Sequence, residues 1–255
     1  MARSLKRFLV STSLKNQTVS DKIQTILLTP EETHHLKGVL RLKEGNLCLL
    51  FDREGNEFLS RIEHFRAGAS EVRLLEPHVC EAAKKLELTV AQALPQDRKM
   101  DEIVKKAAEL GIFELIPLVT ERTMLRISKE RFGKVRLRWE RIAAQTLKQS
   151  QVKTLPQISG PISFKELCAD VSSYDQSFLF HPSDVSRPIK EIDSISAPDK
   201  INRLLMVIGP EGGFSDREVK EAQASGMKLI TMGDGILKTD TAFVAGASFI
   251  LFHHG

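Results

Sequence analysis

The chain has 255 residues, 42% of them hydrophobic and 27% charged, with a formal net charge of +4. That length suits one large domain or two modest ones, and the balance of apolar and charged residues excludes a disordered chain. No apolar run reaches the roughly 20 residues of a membrane span, and no long apolar stretch follows the N-terminal charges as in a secretory signal. Cys48, Cys80 and Cys168 are odd in number, scattered and without a CxxC pair, which argues against a zinc or disulfide framework, so a reducing cytoplasm is the expected location.

In chain order, Thr29-Pro30-Glu31-Glu32 opens a short helix, with Thr29 as N-cap and proline at the first helical position. Asn46 to Phe51 is an apolar strand, Phe58 to Phe65 a second after a polar turn, and Glu71 to Leu75 a third. Short strands at this spacing predict a small antiparallel barrel. The polar stretch Glu76 to Lys85 lacks strand character and is the expected linker, dividing the chain at 1–79 and 80–255.

Beyond it, strands and helices alternate. Strands are predicted at Leu86 to Leu94, Leu115 to Thr120, Gln176 to His181, Leu204 to Ile208 and Lys228 to Met232. Helices are predicted at Arg98 to Leu110, with Gly111 as C-cap, over Phe132 to Leu147, at Ser215 to Ser225 and at Thr239 to Phe252. This alternation predicts an α/β domain with a mainly parallel sheet covered on both faces. Residues 121 to 153 carry a run of ten Lys and Arg, read first as a solvated surface and second as a nucleic-acid contact.

Two strand-to-helix loops carry the strongest signals. Gly209-Pro210-Glu211-Gly212-Gly213-Phe214-Ser215 ends in a capping box, Ser215 with Glu218, and its paired glycines let backbone approach a ligand. Met232-Gly233-Asp234-Gly235-Ile236-Leu237-Lys238-Thr239 joins the next strand to the last helix. Loops at the carboxyl ends of parallel strands are where open α/β sheets bind ligands. Neither loop is a phosphate-binding P-loop or a dinucleotide fingerprint. A plain turn remains the alternative for the first loop, and a strand-end residue without a role for His181.

A set of segments, in order, resembles one family: Arg7-Phe8; His34-His35-Leu36 with Val39-Leu40-Arg41; Ala93-Leu94-Pro95; Lys99-Met100; Glu109-Leu110-Gly111; Thr120-Glu121-Arg122; Arg138-Trp139; Gln149-Ser150; His181-Pro182; GPEGGFS; and ILKTDTA. The chain is similar throughout to the bacterial 16S ribosomal RNA uracil-N3-methyltransferases of the SPOUT class. The resemblance implies a PUA-like RNA-binding β-barrel at 1–79 and, at 80–255, a SPOUT methyltransferase domain with a C-terminal trefoil knot. It also implies S-adenosyl-L-methionine as cofactor, a homodimer, and 16S ribosomal RNA or the assembled small subunit as partner.

On that basis His181, Ile208, Gly209, Pro210, Glu211, Gly213, Met232, Gly233, Ile236, Leu237, Thr241 and Ala242 are expected to hold the cofactor. Glu211 and Asp240 are the candidate catalytic carboxylates, and Arg7, Arg41, Arg122 and Lys238 the candidate RNA contacts. The chain departs from the family pattern at Asp234-Gly235, at Lys238 and Asp240, where arginine and glutamate are usual, and at Gln151-Val152-Lys153. A lysine is a point charge and does not reproduce arginine's fork. A non-catalytic RNA-binding protein on the same fold is the alternative, and a different nucleotide-like ligand in the same cleft a third.

Overall fold

The structure is a computed structural model. It describes residues 5–14, 24–52, 55–66, 68–78, 86–96, 99–124, 127, 129–147, 150, 152, 155–183, 185–191, 202–233 and 235–254. Cys80, Asp234, Gln149, Gln151, Lys153 and most of the expected linker lie outside them. The chain divides into two units, Met1–Ala82 with Leu147–Leu155, and Ala83–Thr146 with Pro156–Gly255.

The first unit holds β1 (Arg7–Leu9), β2 (Thr25–Leu28), α1 (Pro30–His34), β3 (Leu47–Phe51), β4 (Glu57–Arg66) and β5 (Ala69–Pro77). The strands form one sheet in the order β1-β3-β4-β5-β2, with β1 parallel to β3 and the other pairs antiparallel. Among the described residues the ladder has two ends, so the expected barrel is a half-barrel. Ser70, Val72 and Leu74 alternate inward along β5, the period-2 pattern of a half-buried strand, and join Phe8, Leu36, Leu50 and Ile62 in the core. Burial in this core pushes the Cys48 thiol up to about 12, which leaves it protonated and inert. Glu76 and Pro77, read from the sequence as linker, end β5 instead.

Thr29 caps α1 as expected, its hydroxyl accepting from the Glu32 amide at 3.3 Å. A π-turn at His35–Val39 follows, and Arg41 then takes φ 52 with its side chain exposed. Arg7 does not present itself to solvent as an RNA contact would. Its side chain is 9% exposed and pairs with Glu57 at 2.5 Å. Its Nη1 donates to the carbonyls of Ser150 and Val152 at 3.1 and 2.7 Å, and its guanidinium sits 4.5 Å from the centre of the Phe51 ring. These bonds tie Leu147–Leu155 to the first unit.

The second unit holds β6 (Glu87–Ala93), α2 (Lys99–Leu110), β7 (Glu114–Val119), α3 (Lys129–Leu147, whose last residue falls in the first unit), β8 (Gln157–Ile158), β9 (Ile162–Ser163), α4 (Phe164–Ala169), β10 (Gln176–Phe180), β11 (Arg187–Pro188), β12 (Arg203–Ile208), α5 (Asp216–Ala224), β13 (Lys228–Thr231) and α6 (Thr239–His254). Its sheet runs β11-β13-β10-β12-β6-β7-β8, every pair parallel. Unbroken buried runs in β6, β10 and β12 follow from having both faces covered. Leu179, Leu205, Val207 and Leu229 pack under α4 and α5. The alternate residues Phe180 and Met206 face α6, where Gly246 lets the helix come close: a Cβ there would sit 3.0 Å from the Met206 sulfur and 3.1 Å from the Phe180 ring.

Candidate cofactor and RNA site

Strands β13, β10 and β12 are neighbours, and Phe180 is in register with both Ile208 and Ile230. Because the three run parallel, His181, Gly209 and Thr231 emerge at one edge and at one level. The loops that follow them enclose a cavity of about 480 Å³. Its walls include His181, Ile208, Gly209, Pro210, Glu211, Gly213, Met232, Ile236, Leu237 and Ala242 of the expected cofactor set. Gly233 and Thr241 are not in the wall, and neither is Asp240. On α6, Ala242 lies one turn beyond Lys238 and shares its face, while Asp240 and Thr241 turn to solvent.

The first loop is fixed from three directions. The Glu218 carboxylate is buried and accepts the Ser215 amide at 2.9 Å, closing the capping box, while its other oxygen accepts the Glu121 amide at 2.8 Å. Arg122 Nη1 donates to the Gly212 carbonyl at 2.7 Å, and Arg217 pairs with Glu121. From the other loop, the Thr239 hydroxyl donates to the Gly209 carbonyl at 3.2 Å. Gly213 takes φ +68, a conformation that glycine adopts without strain, and a Cβ on it would meet open space. Gly209 has no such room, because a Cβ would press the buried Phe214 ring at 3.0 Å.

The charges at the cavity are specific. Glu211 Oε1 accepts from Lys99 Nζ at 2.8 Å and from the Gln96 amide at 3.3 Å. Burial alone would raise the Glu211 carboxyl, but the Lys99 ammonium and the amide bonds outweigh it and hold it below the usual carboxylate range. Burial pushes the His181 imidazole below its ordinary value, opposed by Asp216 and assisted by Arg122. His181 is therefore neutral at neutral pH. Arg122 and Lys238, expected from the sequence to grip RNA, line this cavity, whereas Arg41 belongs to the first unit.

Lys99, Phe180, Ile230 and Thr231 also line the cavity, and the sequence reading did not place them there. For the last three a signal existed, since each stands at the end of a strand whose following loop was already suspected. Lys99 stands in a segment that carries the family resemblance, but only the fold brings the start of α2 to the loop after β12. Among the described residues no group of three His, Cys, Asp or Glu side chains could hold a metal ion.

The RNA methyltransferase domain family matches residues 82–251, and the RNA methyltransferase PUA domain family matches 28–74. The ribosomal RNA small subunit methyltransferase E of Synechocystis is 30% identical over 220 residues, 86% of this chain and 70% of its own length. That of Bacillus subtilis is 26% identical and covers 91% of both chains. A methyltransferase of Legionella pneumophila, solved in complex with bound S-adenosylmethionine, superposes with a TM-score of 0.81 at 26% identity, covering 96% of each chain. The Neisseria gonorrhoeae ribosomal RNA small subunit methyltransferase E shares the fold at 24% identity, with a TM-score of 0.80 over 96% of this chain and 95% of its own. The parallel sheet is thus of the SPOUT type and the first unit is PUA-like. With the family match spanning both units and the three strand-end loops meeting at one cavity, the chain belongs to the ribosomal RNA small subunit methyltransferase E family of RNA methyltransferases.

Proposed function

We propose that the protein binds S-adenosyl-L-methionine in the cavity at the ends of β10, β12 and β13 and methylates N3 of one uridine in 16S ribosomal RNA, in the cytoplasm and as a homodimer. The carrying observation is the cavity itself: about 480 Å³ walled by apolar side chains and by the backbone of two glycine loops. That is within the roughly 300–1,000 Å³ of small-molecule sites. Gly213 supports the fit, since its open Cβ direction leaves room for a ligand against the backbone. The return of α6 onto β6 and β12, with Thr239 bonded to Gly209, is read as the trefoil knot of this class.

The cofactor supplies an electrophilic methyl on a sulfonium cation. The chain's own residues bind, orient and set charge. A neutral His181 adds no repulsion against that cation, and the ionised Glu211 offers a counter-charge at the wall. For N3 to take the methyl, its proton must leave first. Arg122, Lys99 and Lys238 around one cavity favour the uracil anion so formed, which the methyl then neutralises. Glu211 is the carboxylate in reach as proton acceptor. Its depressed pKa makes it a weak base, and its bond to Lys99 gives it a second task of orienting that cation.

The test is calorimetry with S-adenosylmethionine followed by transfer of labelled methyl to purified 16S ribosomal RNA or small subunits. Binding with transfer to a uridine N3 supports the reading. Binding without transfer to either substrate favours the non-catalytic RNA-binding alternative, and no binding refutes the cofactor assignment.

A further inference from the structure

Helix α3, Lys129–Leu147, contains six basic residues against Glu130 and Glu140, a net of +4. The whole chain also has a net charge of +4, so the rest of the sequence is balanced and the excess sits in this one helix. At 3.6 residues per turn, Arg131, Lys134, Arg138 and Arg141 fall within about 80° of the helix circumference. All four are exposed. Phe132, Trp139 and Ala143 are buried on the other side.

The face is held in place. The Trp139 indole donates to Asp101 Oδ1 of α2 at 3.2 Å, and Arg138 pairs with the other oxygen of the same carboxylate. Glu140 is engaged by Arg136 at 2.9 Å, to the side of the stripe. A solvated helix face ordinarily interleaves both signs, whereas here four cations share the arc and Glu130, at its margin, is the one acid of α3 on that side.

We propose that the Arg131–Arg141 face of α3 is a phosphate-backbone contact surface for the substrate RNA, in the catalytic unit and separate from the cavity. The proposal rests on the RNA-methyltransferase reading above. Three of the four cations are arginines, whose forked donors match phosphate oxygens. The stripe is about 15 Å long at 1.5 Å per residue, long enough to follow several phosphates. Leu137, 57% exposed, is the one large apolar side chain at its edge, too little for the apolar centre of a protein–protein interface.

The experiment measures affinity of the full chain for a 16S ribosomal RNA fragment across a salt series, in wild type, in Lys134→Gln/Arg141→Gln, and in the control Lys105→Gln/Lys106→Gln on α2. Each phosphate contact releases condensed counterions worth about four- to sixfold in affinity at 0.15 M salt, with a log–log slope of roughly 0.7 to 0.9. The α3 variant is expected to bind RNA about 15- to 30-fold more weakly and to lose about 1.4 to 1.8 from the slope. S-adenosylmethionine affinity should stay unchanged, and the control should match wild type. An α3 variant with unchanged RNA affinity and slope overturns the proposal, as does one that instead loses binding to anionic vesicles or an acidic protein. An equal loss in the control overturns it too, since the effect would be one of net charge. A wild type that binds cofactor but no RNA at any salt overturns the RNA reading itself, a failure distinct from that of the α3 surface alone.

Discussion

Replacing Glu218 with alanine is the sharpest test of how the cavity is built. The carboxylate is 2% exposed and accepts two backbone amides, Ser215 N at 2.9 Å and Glu121 N at 2.8 Å. A hydrogen bond to a charged group is worth roughly 1.5–3 kcal/mol, and both amides can regain part of that from water, so the expected loss is about 2–4 kcal/mol. For a chain of this size that is a fall in Tm of roughly 4 to 16 °C, read by calorimetry or near-UV dichroism. Glu218→Gln keeps one acceptor oxygen and should recover about half. Because these bonds join the Arg122 loop to the loop after β12, cofactor affinity should fall together with Tm. A Glu218→Ala protein with unchanged Tm, or with lowered Tm and undiminished cofactor affinity, would refute this account of the loop.

Gly213→Phe should fold with a lower Tm, since φ +68 costs an L-residue about 1–2 kcal/mol, and should bind no cofactor; undiminished affinity would remove Gly213 from the site. Cofactor affinity should be level from about pH 8 down to His181's ordinary value near 6.5 and fall below it. Protonation would place a cation beside the sulfonium, and His181→Asn should flatten the profile. The stability term has the matching sign: a depressed imidazole pKa means the unfolded chain binds more protons, so His181 opposes folding only below its unfolded value. A wild-type affinity that stays level into acid would contradict the placement. Arg7→Met should lower stability by taking the guanidinium away from the buried Glu57 carboxylate and from the carbonyls of Ser150 and Val152, and Arg7→Met/Glu57→Leu should recover part of it. An Arg7→Met protein of normal stability with weakened RNA binding would return Arg7 to the RNA contacts.

Local chemistry made much of this legible. Ser215 with Glu218 marked the start of α5, Thr29-Pro30 marked α1, and alternation marked the parallel sheet, because capping and periodicity are properties of neighbouring residues. The same capping signal stands at Ser163 and Glu166, where it closes in α4 as a full capping box. Strand β2 was missed because its burial alternates weakly and only Leu28 is buried. What the sequence could not supply is contact at long range. Nothing near Arg7 announces Glu57 or Val152, and nothing near Lys99 announces Glu211. Charge was legible as number but not as destination. Arg122 turns to the cavity and bonds to Gly212, while Arg7 turns into the core of the first unit.

Methylation of a small-subunit uridine at N3 through this cavity is read most directly by mass-spectrometric analysis of 16S ribosomal RNA nucleosides from cells with the gene, without it, and with Gly213→Phe in its place. N3-methyluridine is expected in the first, its loss in the second, and no recovery in the third despite normal protein levels. Equal N3-methyluridine in all three would contradict it.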